Sequence, residues 1–144
     1  MPAPTDLDPR EAAGRLLADH DDAWVRELTD ELVRQQSGRR LERIARSWHL
    51  SRRELGELFG VSRQAVTKWT DAGVPAERAV QVAHVDAITD LLERYLKRER
   101  IPAVVRRRAS RLDGTSLIEL VRDGRSDEAL RRTRAMFTFT DAHA

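Results

Sequence analysis

The chain has no cysteine, so neither a disulfide nor a thiolate metal site can reinforce a fold of 144 residues. No apolar run approaches the roughly 18 residues a membrane span needs. The opening Met1-Pro2-Ala3-Pro4-Thr5-Asp6 lacks the basic start and apolar stretch of a secretory signal. A cytoplasmic protein without membrane attachment is expected. Catalytic groupings are missing as well. His20, His49, His84 and His143 are far apart, and there is no His-x-x-Glu-His pair, phosphate-cradling glycine loop or Gly-x-Ser-x-Gly elbow. Asp21 and Asp22 are adjacent and cannot share one helical face as a metal pair would, so they read as helix caps. No metal, no cofactor and no enzymatic activity are expected. Lysine is nearly absent too: apart from Lys68 and Lys97, every positive side chain other than histidine is arginine.

What the chain does have is charge, at 35% of residues, beside 40% apolar residues that suffice for a modest core in one domain or two small ones. The net charge of +2 hides an uneven distribution. Residues 1–38 carry four basic and nine acidic side chains, whereas residues 39–70 carry eight basic and three acidic ones. A basic block of this kind suits a phosphate backbone, whose neutralisation releases counterions and makes binding fall steeply with salt. Arg39, Arg40, Arg43, Arg46, Arg52 and Arg53 are the candidates for such contacts. For each of them a solvated surface charge is the plain alternative.

The basic block coincides with the most informative segment, residues 51–71. Ser51 and Glu54 stand three apart ahead of Leu55, Leu58 and Phe59, the spacing of a capping box. Gly60 suits the left-handed turn that stops this helix, and Ser62 caps the next. Val66 and Trp69 share one face of that second helix and pin it to the first, with small Gly56 where the two cross. The opposite face offers Arg63, Gln64, Thr67 and Lys68. These are the candidate base-reading residues of a helix-turn-helix: arginine can fork onto guanine, glutamine onto adenine, and threonine can touch a thymine methyl. Ser51 and Ser62, at helix starts, join Arg39, Arg40, Arg52 and Arg53 as candidate phosphate contacts. An ordinary helical corner with a solvated charged face is the competing reading. Two-fold operators imply a homodimer on double-stranded DNA.

Elsewhere the pattern is helical throughout, so an all-α fold is expected, a helix-turn-helix bundle followed by a small helical domain. Residues 1–7 read as a loose arm. Residues 8–38 read as N-terminal helices: Asp8 and Pro9 start one that runs to about His20, and Asp21 or Asp22 caps another ending at Ser37-Gly38. This region is a dimerisation element, a brace or packed core. Residues 39–84 hold the DNA-binding domain, beginning with a helix from Arg39 to His49, and residues 85–144 a partner-binding domain. A long helix from Pro75 to about Arg100, either bending near His84 or protruding, crosses between them until Ile101-Pro102 breaks it. Thr115 and Ser126 start the last two helices. Arg106, Arg107, Arg108, Phe137 and Phe139 are the candidate partner contacts, although Phe139 beside Phe137 also reads as a core anchor.

Leu112-Asp113-Gly114-Thr115-Ser116-Leu117-Ile118-Glu119-Leu120, then Gly124 and Asp127 to Leu130, follow the pattern Leu-x-Gly-x-(Pro or Ser)-Leu-x-x-Leu, Gly, last helix. With the helix-turn-helix ahead of it, the stretch from about residue 39 to 137 resembles the Xre-type antitoxins with a ParS/MbcA-like C-terminal domain. That resemblance implies a repressor of its own operon whose C-terminal end occupies the cleft of a cognate toxin, often one that consumes NAD. A stand-alone transcriptional regulator or phage-type repressor, with a last segment that only packs or dimerises, is the other expectation.

Overall fold

The computed structural model describes residues 8–142, and the side chains of residues 8–138. Residues 1–7 and the Phe139 side chain, on which two expectations fell, lie outside this range. Regular structure among the described residues is helical: α1 (Pro9–Asp19), α2 (Asp22–Trp48), α3 (Arg52–Phe59), α4 (Arg63–Ala72), α5 (Ala76–Tyr95), α6 (Ile101–Arg106), α7 (Leu117–Arg122) and α8 (Ser126–Ala142). Short 3-10 turns occupy Arg98–Arg100 and Ser110–Leu112, and a lone antiparallel bridge joins Ala109 to Thr115. The fold is all-α. No helix among the described residues is long and apolar enough to cross a membrane.

The chain divides into two compact units between Arg34 and Gln35, inside α2. In the first unit the expected caps are present. The Asp8 carboxylate accepts the Arg10 amide at 3.0 Å with Pro9 leading the helix, and Asp21 accepts the Trp24 amide at 2.8 Å. No side chain of α1 is buried, and Leu16, Leu17, Leu32 and Val33 are exposed.

Two expected boundaries are corrected. Ser37-Gly38 does not end a helix, because α2 runs 27 residues through it. Gly38 is buried against α4, where a Cβ would lie 2.5 Å from the Thr70 carbonyl oxygen, and the Ser37 hydroxyl accepts the Val74 amide at 3.1 Å. Both residues serve close packing instead. The helix stops at His49, whose left-handed φ of 52° lets the Leu50 amide reach the Ala45 carbonyl at 2.9 Å. The second correction concerns domains: a division at residues 84/85 would fall inside α5. Residues 35 onward share one core of Leu41, Ile44 and Trp48 from α2, Leu58 and Phe59 from α3, Val66 from α4, Val85, Ile88 and Leu92 from α5, Val105 from α6, and Leu117 and Leu120 from α7. The wide apolar face of α5 takes its cover from α8, while α3 packs on α4 and α7. The buried Trp48 indole donates to Thr89 at 2.9 Å, so its N–H is paired within the core.

Further along, α5 ends at Tyr95 and not near Arg100, because Leu96 turns to an extended backbone. Ile101-Pro102 then opens α6, with proline near the start where a missing N–H costs nothing. Ser116, not Thr115, caps α7, in a full capping box with Glu119. The Thr115 hydroxyl instead donates to the Leu112 carbonyl at 2.6 Å.

Arginine–carboxylate knots hold the periphery. Arg43 of α2 meets Glu93 at 2.8 Å, Asp90 at 3.2 Å and Asp86 at 3.4 Å, all on α5. Arg132 of α8 meets Asp113 at 2.6 Å and Glu128 at 2.8 Å, and donates to the Arg111 carbonyl. The hydrogen bond to Glu93 raises the Arg43 pKa against the effect of burial. Partial burial pushes the Glu93 carboxyl up, but the hydrogen bond and charge of Arg43, with lesser help from Ser47 and Arg98, outweigh this and leave it below the usual value. Glu128 is lowered by Arg132 and Arg125.

Depressed folded-state glutamate pKa values contribute stability that is complete above the unfolded value near 4.5 and is lost as pH falls through the folded values. Thermal melts are therefore expected to fall below about pH 4.5, with Glu93→Gln flattening that slope; a Tm that rises on acidification contradicts the assignment. In α2, Gly38→Ala gains up to about 1 kcal/mol in helix propensity but meets a backbone oxygen. Denaturant titration should show a net loss of about 1–2 kcal/mol, whereas Gly14→Ala, with open space around it, should be neutral or stabilising.

Candidate nucleic-acid interface

The corner between α3 and α4 is built from local hydrogen bonds. The Ser51 hydroxyl accepts the Glu54 amide at 3.1 Å and the Ser51 amide donates to the Glu54 carboxylate at 3.2 Å, the reciprocal pair that the spacing predicts. The amide of Ser51, then its hydroxyl, hold the Glu54 pKa below the usual value. Gly60 closes α3 at φ 71°, ψ 33°, a left-handed conformation that costs other residues about 1–2 kcal/mol. The Val61 amide then returns to the Gly56 carbonyl at 2.8 Å. This return brings the chain so near α3 that a Cβ on Gly56 would sit 2.6 Å from the Val61 carbonyl oxygen. Ser62 restarts the helix by accepting the Ala65 amide at 3.1 Å.

Periodicity then sorts the faces of α4. Val66 and Trp69 point into the core, where the Trp69 ring lies 6.4 Å from that of Phe59 at a tilt of 58°. Arg63, Gln64, Thr67 and Lys68 are all exposed, and among the described residues Arg63, Gln64 and Lys68 engage no side-chain partner. Thr67 differs. Its hydroxyl donates to the Arg63 carbonyl at 3.2 Å and accepts from Arg52 Nη1 at 3.1 Å, so that Arg52 spans from α3 to α4.

The flanking arginines do not form one uniform basic rim. Arg39 and Arg46 are exposed and unpaired among the described residues. Arg40 lies 3.6 Å from Asp86, Arg43 is held in the α5 carboxylate knot, and Arg53 lies 3.3 Å from Glu57. The sequence carries a signal for this, since Asp86, Asp90 and Glu93 recur at helical spacing and form an acidic stripe on α5. Exposed pairs of this type are weak, so Arg53, whose side chain is 83% exposed, is readily released, whereas Arg43 is not.

The residues expected to meet a protein partner also separate. Arg106 is consumed internally: its guanidinium donates to the carbonyls of Trp48 at 2.7 Å, His49 at 2.9 Å and Pro102 at 2.8 Å, clasping the end of α2. Nothing in the spacing of the Arg106-Arg107-Arg108 run singles it out. Arg108 pairs with Glu119 at 2.8 Å, which with the Ser116 amide lowers the Glu119 pKa. Arg107 remains free among the described residues and lines a 310 Å³ cavity with Val104, Leu112, Leu117 and Met136. Phe137 is half-buried and stacked on Tyr95 at 4.6 Å and 9°, which makes it an anchor for α8. Among the described residues no group of three or more His, Cys, Asp or Glu is placed to hold a metal ion.

Compared with known proteins, the chain matches no family model, no curated protein and no solved structure.

The close approach at Gly56 makes the corner intolerant of a side chain there. Gly56→Ala is expected to cost about 2 kcal/mol in denaturant titration, the range for overpacking against an unyielding backbone. An unchanged midpoint would mean that α3 and the turn at Val61 are not in contact.

Proposed function

We propose that this protein is a sequence-specific double-stranded DNA-binding regulator whose α4 enters the major groove. The supporting observation is the division of α4: one face is locked by Val66 and Trp69 in the core, while Arg63, Gln64 and Lys68 stand exposed on the other and, among the described residues, uncommitted. In this reading Arg63 forks onto guanine and Gln64 onto adenine, at about 1–3 kcal/mol of discrimination for each good bidentate pair. Ser62 and the free amides of the first turn of α4 face a phosphate. Arg39, Arg46 and Arg52 hold the backbone on either side, and two copies of the chain bind paired half-sites one duplex turn apart.

The likeness of residues 112–130 to the ParS/MbcA-like domain extends this reading to an antitoxin that represses its own operon in the cytoplasm. Its C-terminal part then neutralises a cognate toxin, NAD-consuming if the likeness carries that far. Arg107 and the chain beyond Phe137 carry that role, because Arg106 and Phe137 are engaged internally. The same internal engagement, with α7 and α8 packed into the core shared with α3 and α5, favours the second reading of a stand-alone regulator. A toxin encoded beside this gene that copurifies with the chain decides for the first, and its absence for the second.

Selection from random duplexes followed by titration tests the DNA reading. Gln64→Ala should relax preference at one operator position, while Arg39→Ala should weaken all sequences alike and reduce the salt slope by about 1. Equal, sequence-blind losses from both variants would contradict the base-reading role of α4.

A further inference from the structure

Thr67 lies in the middle of the exposed face of α4, yet its hydroxyl is already employed within the corner. Its single proton goes to the Arg63 carbonyl, 3.2 Å away, and one of its two lone pairs receives Arg52 Nη1 at 3.1 Å. No proton is left to offer to the carbonyl or ring-nitrogen acceptors that line the major groove. What the side chain can still present to a base is its Cγ2 methyl group and a single remaining lone pair, which can accept only from the amino group of an adenine or a cytosine. Among the described residues the neighbouring Arg63, Gln64 and Lys68 have no such engagement, which leaves their polar tips for the groove. The Arg52 bond also ties the side chain to a second helix, so a change of rotamer that freed the hydroxyl would break two hydrogen bonds at once.

Resting on the DNA-binding reading above, we propose that Thr67 is a specificity-determining residue that reads the C5-methyl group of a thymine by apolar contact, its hydroxyl proton being committed to the Arg63 carbonyl and its position fixed by Arg52. Among the major-groove edges of unmodified DNA only thymine carries such a methyl, and contact between two methyl groups removes both from water. The hydroxyl then has a positioning role. It orients the methyl and holds Arg52, whose remaining guanidinium N–H groups stay available to a phosphate.

The test replaces thymine with uracil, which lacks only the C5-methyl, one position at a time in a duplex selected with the wild-type protein. At one position in each half-site, wild-type affinity should fall roughly fourfold, the worth of about one buried methyl group. Thr67→Ser keeps the hydroxyl and removes the methyl, so it should bind the thymine and uracil duplexes equally. Thr67→Val keeps a methyl and removes the hydroxyl; it should weaken every duplex through the loss of Arg52 while retaining the thymine preference. The losses from Thr67→Ser and from uracil should therefore be non-additive. The proposal is overturned if no uracil position affects the wild type, if Thr67→Ser still distinguishes thymine from uracil, or if Thr67→Val loses the distinction. These outcomes differ from failure of the DNA-binding reading, in which the wild-type protein enriches no duplex in the selection, and which would remove this inference with it. Circular dichroism melts of the three proteins separate altered reading from misfolding.

Discussion

The near-contact between Gly56 and the Val61 carbonyl governs the geometry of the corner. A glycine in mid-helix sacrifices about 0.5–1 kcal/mol of helix stability. In exchange, the chain leaving Gly60 folds directly back over α3 and places Ser62 where it can start α4. Trp69 and Val66 then reach Phe59 and the core without a long connection. Because each end of the turn is fixed by a side-chain or left-handed cap, the direction of α4 is set by covalent and hydrogen-bond geometry more than by surface charge.

A second close approach, at Gly38, brings α2 against the backbone of α4 near its end. Together the two glycines leave α4 packed by its neighbours on one side and open on the other. Electrostatics refines this arrangement. The acidic stripe of α5 draws Arg43 and, more loosely, Arg40 away from any external anion, while Arg39, Arg46, Arg63 and Lys68 are left unpaired among the described residues. The field offered to a duplex is therefore carried by fewer cations than the eight of the 39–70 block. A steep but not extreme salt dependence follows for the proposed complex.

Features encoded by close neighbours along the chain are legible in the amino-acid sequence alone. The caps at Asp8, Ser51 and Ser62, the left-handed Gly60 and the division of α4 into buried and exposed faces all arise within one or two helical turns. Features that depend on distant partners are not. Gly38 looks like a terminator until Thr70 is seen against it, and the helix from Asp22 runs straight through. A boundary at residue 84 looks reasonable until Val82, Val85 and Ile88 are found in a core shared with α3 and α7. Arg106 is indistinguishable from Arg107 in the chain, yet only the former reaches the carbonyls that end α2. The Thr67–Arg52 bond belongs to the same class, since 15 residues separate its members.

Amide chemical-shift mapping probes the proposed role of the solvent face of α4 as a nucleic-acid surface. During titration of the labelled protein with a selected duplex at low salt, the largest shifts are predicted at residues 62–68, smaller ones near Arg39, Arg46 and Arg52, and little change along α8. Shifts centred on α5 or α8, or no shifts at a duplex excess that saturates binding, would contradict it.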